Sequence, residues 1–158
     1  MKAINWATAE NSRKCSQFYG KLNVEKVATM GWSCGGGMAH YAAVDPRVDT
    51  AVALNSGIAI YGDRYSYYPR FHSPIAIFNG NQSDVAYNPG LQQYDEVNNV
   101  PFYHANYPQG HGDAYFQDNG GEFGIVAVGW LNWWLKDDLT ASGKGMFIGN
   151  NCRLCRAP

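Results

Sequence analysis

Lys26-Val27-Ala28-Thr29-Met30-Gly31-Trp32-Ser33-Cys34-Gly35-Gly36 is the stretch whose reading decides the fold. Lys26 to Met30 reads as a short buried strand, and Gly36 to Val44 reads as a helix stopped by Asp45-Pro46. Between them, Gly31 to Gly35 form G-x-S-x-G at a strand-to-helix corner, the pattern of a nucleophile elbow. The glycines two before and two after Ser33 lack Cβ atoms, so strand and helix are expected to approach closely there. Such a turn holds the serine in a strained conformation with its hydroxyl exposed. The pattern alone is common by chance; its flanking elements give it weight.

Working outward, strands and helices alternate. Ile4 to Tyr19 reads as a helix with Gly20 as its stop, and Val27 to Met30 as the first strand. After the elbow helix, Val48 to Leu54 is a second apolar strand, ending at Asn55-Ser56-Gly57. The Tyr-rich stretch from Ile58 to Ser73 shows no period and reads as an excursion or cap loop. Pro74 to Phe78 is the third strand, followed by the polar loop Asn79 to Asp84. Pro89 to Asn98 is a helix with Pro at its start, and Val100 to Ala105 is the fourth strand. Gly110-His111-Gly112 lies in the next loop, ahead of a long amphipathic helix from Gly121 to Lys136. This order predicts an α/β fold: a short, mostly parallel sheet of about four strands with helices on both faces. Residues 1–136 are expected to form the domain, and 137–158 a polar, weakly structured tail.

Composition narrows the classes of function. Of 158 residues, 46% are hydrophobic, enough for one sizeable core. A net charge of −1 gives no basic surface, so neither nucleic acid nor an anionic membrane is an expected partner. No apolar run is long enough to span a bilayer, and no segment has the order of a signal peptide. The chain is therefore expected to be soluble, with no location assigned. The 11 tyrosines and 5 tryptophans suit an aromatic-lined cleft, although core packing accounts for most such rings. Four cysteines are too few for a disulfide scaffold; Cys152 and Cys155 form half a zinc-ribbon pattern with no second half. They are expected to pair locally or stay as two thiols, and no metal or cofactor is called for. Asn81-Gln82-Ser83 is a glycosylation sequon, relevant only to a secreted eukaryotic chain.

Ligands of parallel sheets bind at the carboxyl ends of the strands. Ser33, Asp84 and His111 lie just past three such ends, in that chain order. A serine hydroxyl is a poor nucleophile unless a base takes its proton, and the base needs an acid to fix its tautomer. The three residues are thus candidates for nucleophile, acid and base. Cys34 supplies, through its backbone N–H, the expected first donor to an oxyanion. Trp32, Tyr61, Tyr87 and Tyr115 are candidate cleft residues. His104 alternates with Phe102 inside a strand and His40 lies two turns into the elbow helix, so both read as structural. His72 is expected to face solvent, and Asp113 is set aside as the acid because Asp84 has the strand-end position.

From Lys26 to Ala141 the chain resembles the C-terminal half of the α/β-hydrolase superfamily, and within it microbial esterase-like proteins with a G-x-S-C-G-G elbow. Asp45-Pro46-Arg47-Val48, Asn55-Ser56-Gly57, Gly110-His111-Gly112, Gly120-Gly121-Glu122-Phe123, Trp130-Leu131-Asn132-Trp133 and the closing Cys-x-x-Cys all fit that resemblance. It implies carboxylic-ester hydrolysis through an acyl-enzyme on Ser33, with His111 as base and Asp84 as orienting acid. With Trp32, Tyr61, Tyr87 and Tyr115 as cleft candidates, the expected substrate is a small-molecule ester with a small or aromatic acyl group. The full fold has several strands before the elbow strand, where this sequence has 26 residues. A truncated fold is therefore expected, without the loop that normally supplies a second oxyanion donor. Two alternatives stand beside the esterase: a catalytically weak or inactive binding or assembly module, and a different activity on the same scaffold. The unpaired edge of the first strand predicts a homodimer.

Overall fold

The computed structural model describes residues 1–60 and 62–155. Four parallel strands, β1 (Ala28–Trp32), β2 (Thr50–Leu54), β3 (Ile75–Asn79) and β4 (Phe102–Asn106), lie side by side in chain order. The helices are α1 (Lys2–Ser12), α2 (Cys34–Ala42), α3 (Arg64–Tyr67), α4 (Tyr87–Glu96), α5 (Gly121–Lys136) and α6 (Lys144–Phe147). The sequence-based α/β reading with about four strands is the observed architecture. Every residue of β2 and β3 is buried, whereas β1 and β4 at the edges are partly exposed. A parallel sheet covered on both faces demands such continuous apolar strands in its middle.

Side chains alternate across the sheet and feed two cores. Val52, Leu54, Ala76 and Phe78 point to one face and pack with Phe123, Val126 and Trp130 of α5. Ala51 and Ile75 point to the other, where they meet Ala43, Val48, Ile58 and Val97. Trp130 Nε1 donates to Thr50 Oγ1 at 2.7 Å, so the buried indole is satisfied as well as packed.

Several expectations are corrected. The first helix ends at Ser12 rather than Tyr19, because Asn11 and Ser16 side chains claim backbone groups beyond it. Asn11 Oδ1 accepts from Leu22 N, and Ser16 Oγ accepts from Phe18 N. The described residues from Ile58 to Ser73 are more than a loop: they carry α3, and Ile58, Tyr68 and Phe71 are buried in the second core. Helix α4 starts two residues before Pro89, since the Asp84 carbonyl accepts from Tyr87 N and begins the turn early. The segment read as a polar, weakly structured tail carries α6, whose Met146 and Phe147 join the first core. Cys152 and Cys155 form a disulfide, while Cys15 and Cys34 are free and exposed. No helix among the described residues is long and apolar enough to cross a membrane. On the outer side of β1 no strand pairs among the described residues.

Candidate active site

The register that pairs Trp32 with Leu54 and Leu54 with Phe78 sets Ser33, Asn55 and Asn79 in the next row, at the carboxyl end of the sheet. Ser33 N donates to Leu54 O at 2.9 Å and Asn55 N donates to Phe78 O at 2.8 Å, so this row still belongs to the sheet. Two of its members adopt positive φ, 52° at Ser33 and 45° at Asn55. Ser33, with ψ −123°, lies outside the ordinary regions for an L-residue, the strain expected of an elbow.

Glycines beside Ser33 make the corner possible, but not the pair that the motif singles out. A Cβ on Gly31 would lie 2.2 Å from Gly35 O, and one on Gly36 2.6 Å from Ser56 Cβ. A Cβ on Gly35 would meet nothing within 4 Å. The close approach therefore rests on Gly31 and Gly36; Gly35 contributes its main chain.

Asp84 and His111 arrive from the loops after β3 and β4. His111 Nδ1 lies 2.7 Å from Asp84 Oδ1, and His111 Nε2 lies 3.0 Å from Ser33 Oγ. A carboxylate only accepts, so Nδ1 carries the proton, Nε2 is left as acceptor, and the serine hydroxyl donates to it. The Asp84 side chain is fully buried, while that of His111 is 25% exposed. Burial pushes the Asp84 carboxyl up, but donors from Ala86 N, Asn55, Gly80 N and His111 outweigh it and hold the group below its ordinary range. Cys34 opens α2, where the first N–H groups have no intrahelical acceptor and the helix dipole is positive.

A cavity of about 90 Å³ opens beside these groups, walled by Gly57, Ile60, Val85 and Pro89, with Ser33, Cys34 and His111 on its polar side. Trp32 tilts against His111 with centroids 5.4 Å apart and touches Tyr115 at 5.1 Å, so both form the flank behind the imidazole. Tyr115 stacks on Phe123, and burial together with the nearby Asp84 charge pushes its phenol up. Tyr87 lines a separate hollow with Asn81 and Tyr107, away from Ser33. Tyr61 lies outside the described residues. Among the described residues the walls of the cavity are aliphatic where the sequence suggested aromatics. Ile60 and Val85, single aliphatic residues in loops, carry no sequence pattern, and Pro89, which the sequence marks as a helix start, lies in the first turn of α4. His40 is buried and His72 exposed, as their positions suggested, and Asp113 instead accepts from Gly110 N at 2.8 Å. No cluster of metal-ligating residues occurs among the described residues.

The arrangement is that of an α/β-hydrolase, and solved structures agree on the fold. Acetyl xylan esterase 1 from Thermoanaerobacterium is 14% identical with a TM-score of 0.56, over 82% of this chain and 50% of that one. Dienelactone hydrolase from Anabaena variabilis is 17% identical at 0.55, over 85% and 58%. Acylaminoacyl peptidase from Pyrococcus horikoshii is 14% identical at 0.52, over 63% and 22%. This chain spans between 22% and 58% of the length of those proteins. It belongs to the PETase family, described as PET hydrolase-like, whose profile matches residues 1–150. No curated protein matches it in sequence.

Proposed function

We propose that the chain is a serine hydrolase that cleaves carboxylic esters through an acyl-enzyme on Ser33. The observation that carries this reading is the continuous hydrogen-bonded chain from Ser33 Oγ through His111 to the buried Asp84 carboxylate. In the first half-reaction Ser33 Oγ attacks the ester carbonyl as its proton passes to His111 Nε2. The imidazolium, stabilised by Asp84, then protonates the leaving alkoxide. Water, deprotonated by the same nitrogen, releases the acid and restores the serine. The tetrahedral oxyanion draws on the Cys34 N–H at the positive end of α2. Esters are favoured over amides because the family is named for PET hydrolysis and two of the similar structures are an esterase and a lactone-named hydrolase. A cavity of about 90 Å³ with aliphatic walls suits a short acyl group.

Turnover of p-nitrophenyl acetate and butyrate, with Ser33→Ala as control, tests this. Loss of the nucleophile is expected to lower kcat on the order of 10⁴- to 10⁶-fold. A fluorophosphonate probe is expected to label Ser33 in the native chain and nothing in the variant. Absent turnover and labelling, or turnover that survives Ser33→Ala, rejects the reading.

A further inference from the structure

Asp84 is held by more than its histidine. Its Oδ1 accepts from His111 Nδ1 and, at 2.9 Å, from Ala86 N; its Oδ2 accepts from Gly80 N at 2.7 Å and from Asn55 Nδ2 at 2.6 Å. Gly80 and Ala86 belong to the same loop as Asp84 and move with it. Asn55 comes from a different strand end, beside Ser33 in the same row. Because the carboxylate only accepts, the orientation of the Asn55 amide is settled: its nitrogen faces Asp84. Asn55 is itself fully buried, tied to Phe78 O through its own N–H. Its positive φ is one that asparagine tolerates better than most residues.

The next residue grips the other end of the site. Ser56 Oγ donates to the Ser33 carbonyl at 2.6 Å, and Ser56 N donates to Asn79 Oδ1 at 2.9 Å. Asn79 Nδ2 in turn donates to Ala86 O at 2.7 Å, in the acid loop. Residues 55 and 56, two consecutive positions just past the end of β2, therefore fasten the acid on one side and the elbow on the other.

We propose that Asn55 is a positioning residue for the Ser33–His111–Asp84 chain, locking the Asp84 carboxylate so that Oδ1 stays aimed at His111, with Ser56 holding the elbow from the same strand end. This rests on the esterase reading above. A side chain that merely filled space here would need neither a donor nor a connection to the neighbouring strand. The titratable groups facing Asp84 are His111 and Tyr115, and both remain when Asn55 is changed.

Asn55→Gly is the decisive variant, because glycine accepts the positive φ while the side chain that donates to Asp84 is removed. With p-nitrophenyl acetate, kcat is expected to fall on the order of 10- to 100-fold while KM stays within about twofold. The acidic limb of the kcat/KM profile is expected to move to higher pH, since the carboxylate has lost a donor. In an Asp84→Asn background the same change is expected to cost less than about twofold more, because the residue acts through Asp84. The Asp84 carboxyl carbon, followed by NMR, is expected to titrate at higher pH in Asn55→Gly than in the native chain. A kcat within threefold of native, a full additional loss in the Asp84→Asn background, or an unmoved Asp84 titration overturns the proposal. If the native chain neither turns over esters nor labels at Ser33, the esterase reading fails by itself. The Asp84 titration then decides for or against Asn55.

Discussion

Replacing Gly31 by Ala puts a methyl group where the main chain already stands. Its Cβ would lie 2.2 Å from Gly35 O, 2.3 Å from Gly35 C and 2.8 Å from Gly36 N. All three are backbone atoms, so no rotamer change relieves the clash; β1 and the start of α2 must part by on the order of 1 Å. Overpacking of this kind costs about 1–3 kcal/mol. At roughly 2–4 °C per kcal/mol for a chain of this size, the melting temperature should fall by about 2–12 °C. Because Ser33 rides on that corner, a displacement near 1 Å is expected to lower kcat about 100-fold. Gly35→Ala is the matched control. Its Cβ meets nothing within 4 Å and the site is helical, so stability should hold or rise by about 0.5–1 kcal/mol. Thermal melts followed by circular dichroism, with p-nitrophenyl acetate kinetics on both variants, measure the contrast. If Gly31→Ala melts and turns over like the native chain, or Gly35→Ala is the more damaging of the two, the reasoning from close approach is wrong.

Three further outcomes are expected. His40, fully buried between Ala76 O and Gln93, has its pKa pushed down to about 4 by burial, against both hydrogen bonds. The unfolded chain therefore binds a proton that the folded one refuses, and stability should fall by on the order of 3 kcal/mol from pH 6.5 to pH 4. Urea melts across that window should show the loss in the native chain and a flatter profile in His40→Gln. The contribution of Asp84, whose carboxyl is held below its ordinary range, is lost at more acidic pH, and His104, also pushed down by burial, titrates alike in both chains, so the difference between the two profiles belongs to His40. Phe147→Ala, in the core beside Trp130, Trp133 and Tyr103, should cost about 3–5 kcal/mol, and an unchanged melting temperature would refute the placement of α6 in the core. We also propose that the open edge of β1 pairs with a second copy; light scattering at micromolar concentration should show a dimer, and a strict monomer refutes it.

The legible parts of this chain were those where one local pattern implies one backbone. Strand β2 and helix α5 could be read to within two residues because an unbroken apolar run and a 16-residue amphipathic stretch each have one economical solution. Helix α1 was overread because side chains of Asn11 and Ser16 compete for the backbone, and periodicity does not register that competition. The order at the end of the chain is hidden in the sequence because polar residues outnumber the few apolar ones, Met146, Phe147 and Cys152, that are buried. The cleft was only half legible: Trp32 and Tyr115 stand behind His111, but Tyr87 lines a separate hollow with Asn81 and Tyr107.

By itself the sequence determined the alternation of strands and helices, the elbow at Ser33 and the order of serine, aspartate and histidine. These follow from propensity and from backbone geometry within a few residues. Only the tertiary structure decided that His111 lies within reach of Asp84, 27 residues away, and of Ser33, 78 residues away. It alone showed that Gly36 rather than Gly35 makes room for the corner and that Asn55 reaches across to the acid. Such contacts depend on strand register and sheet order, which arise from burying two apolar faces at once and leave no trace in the spacing of residues along the chain.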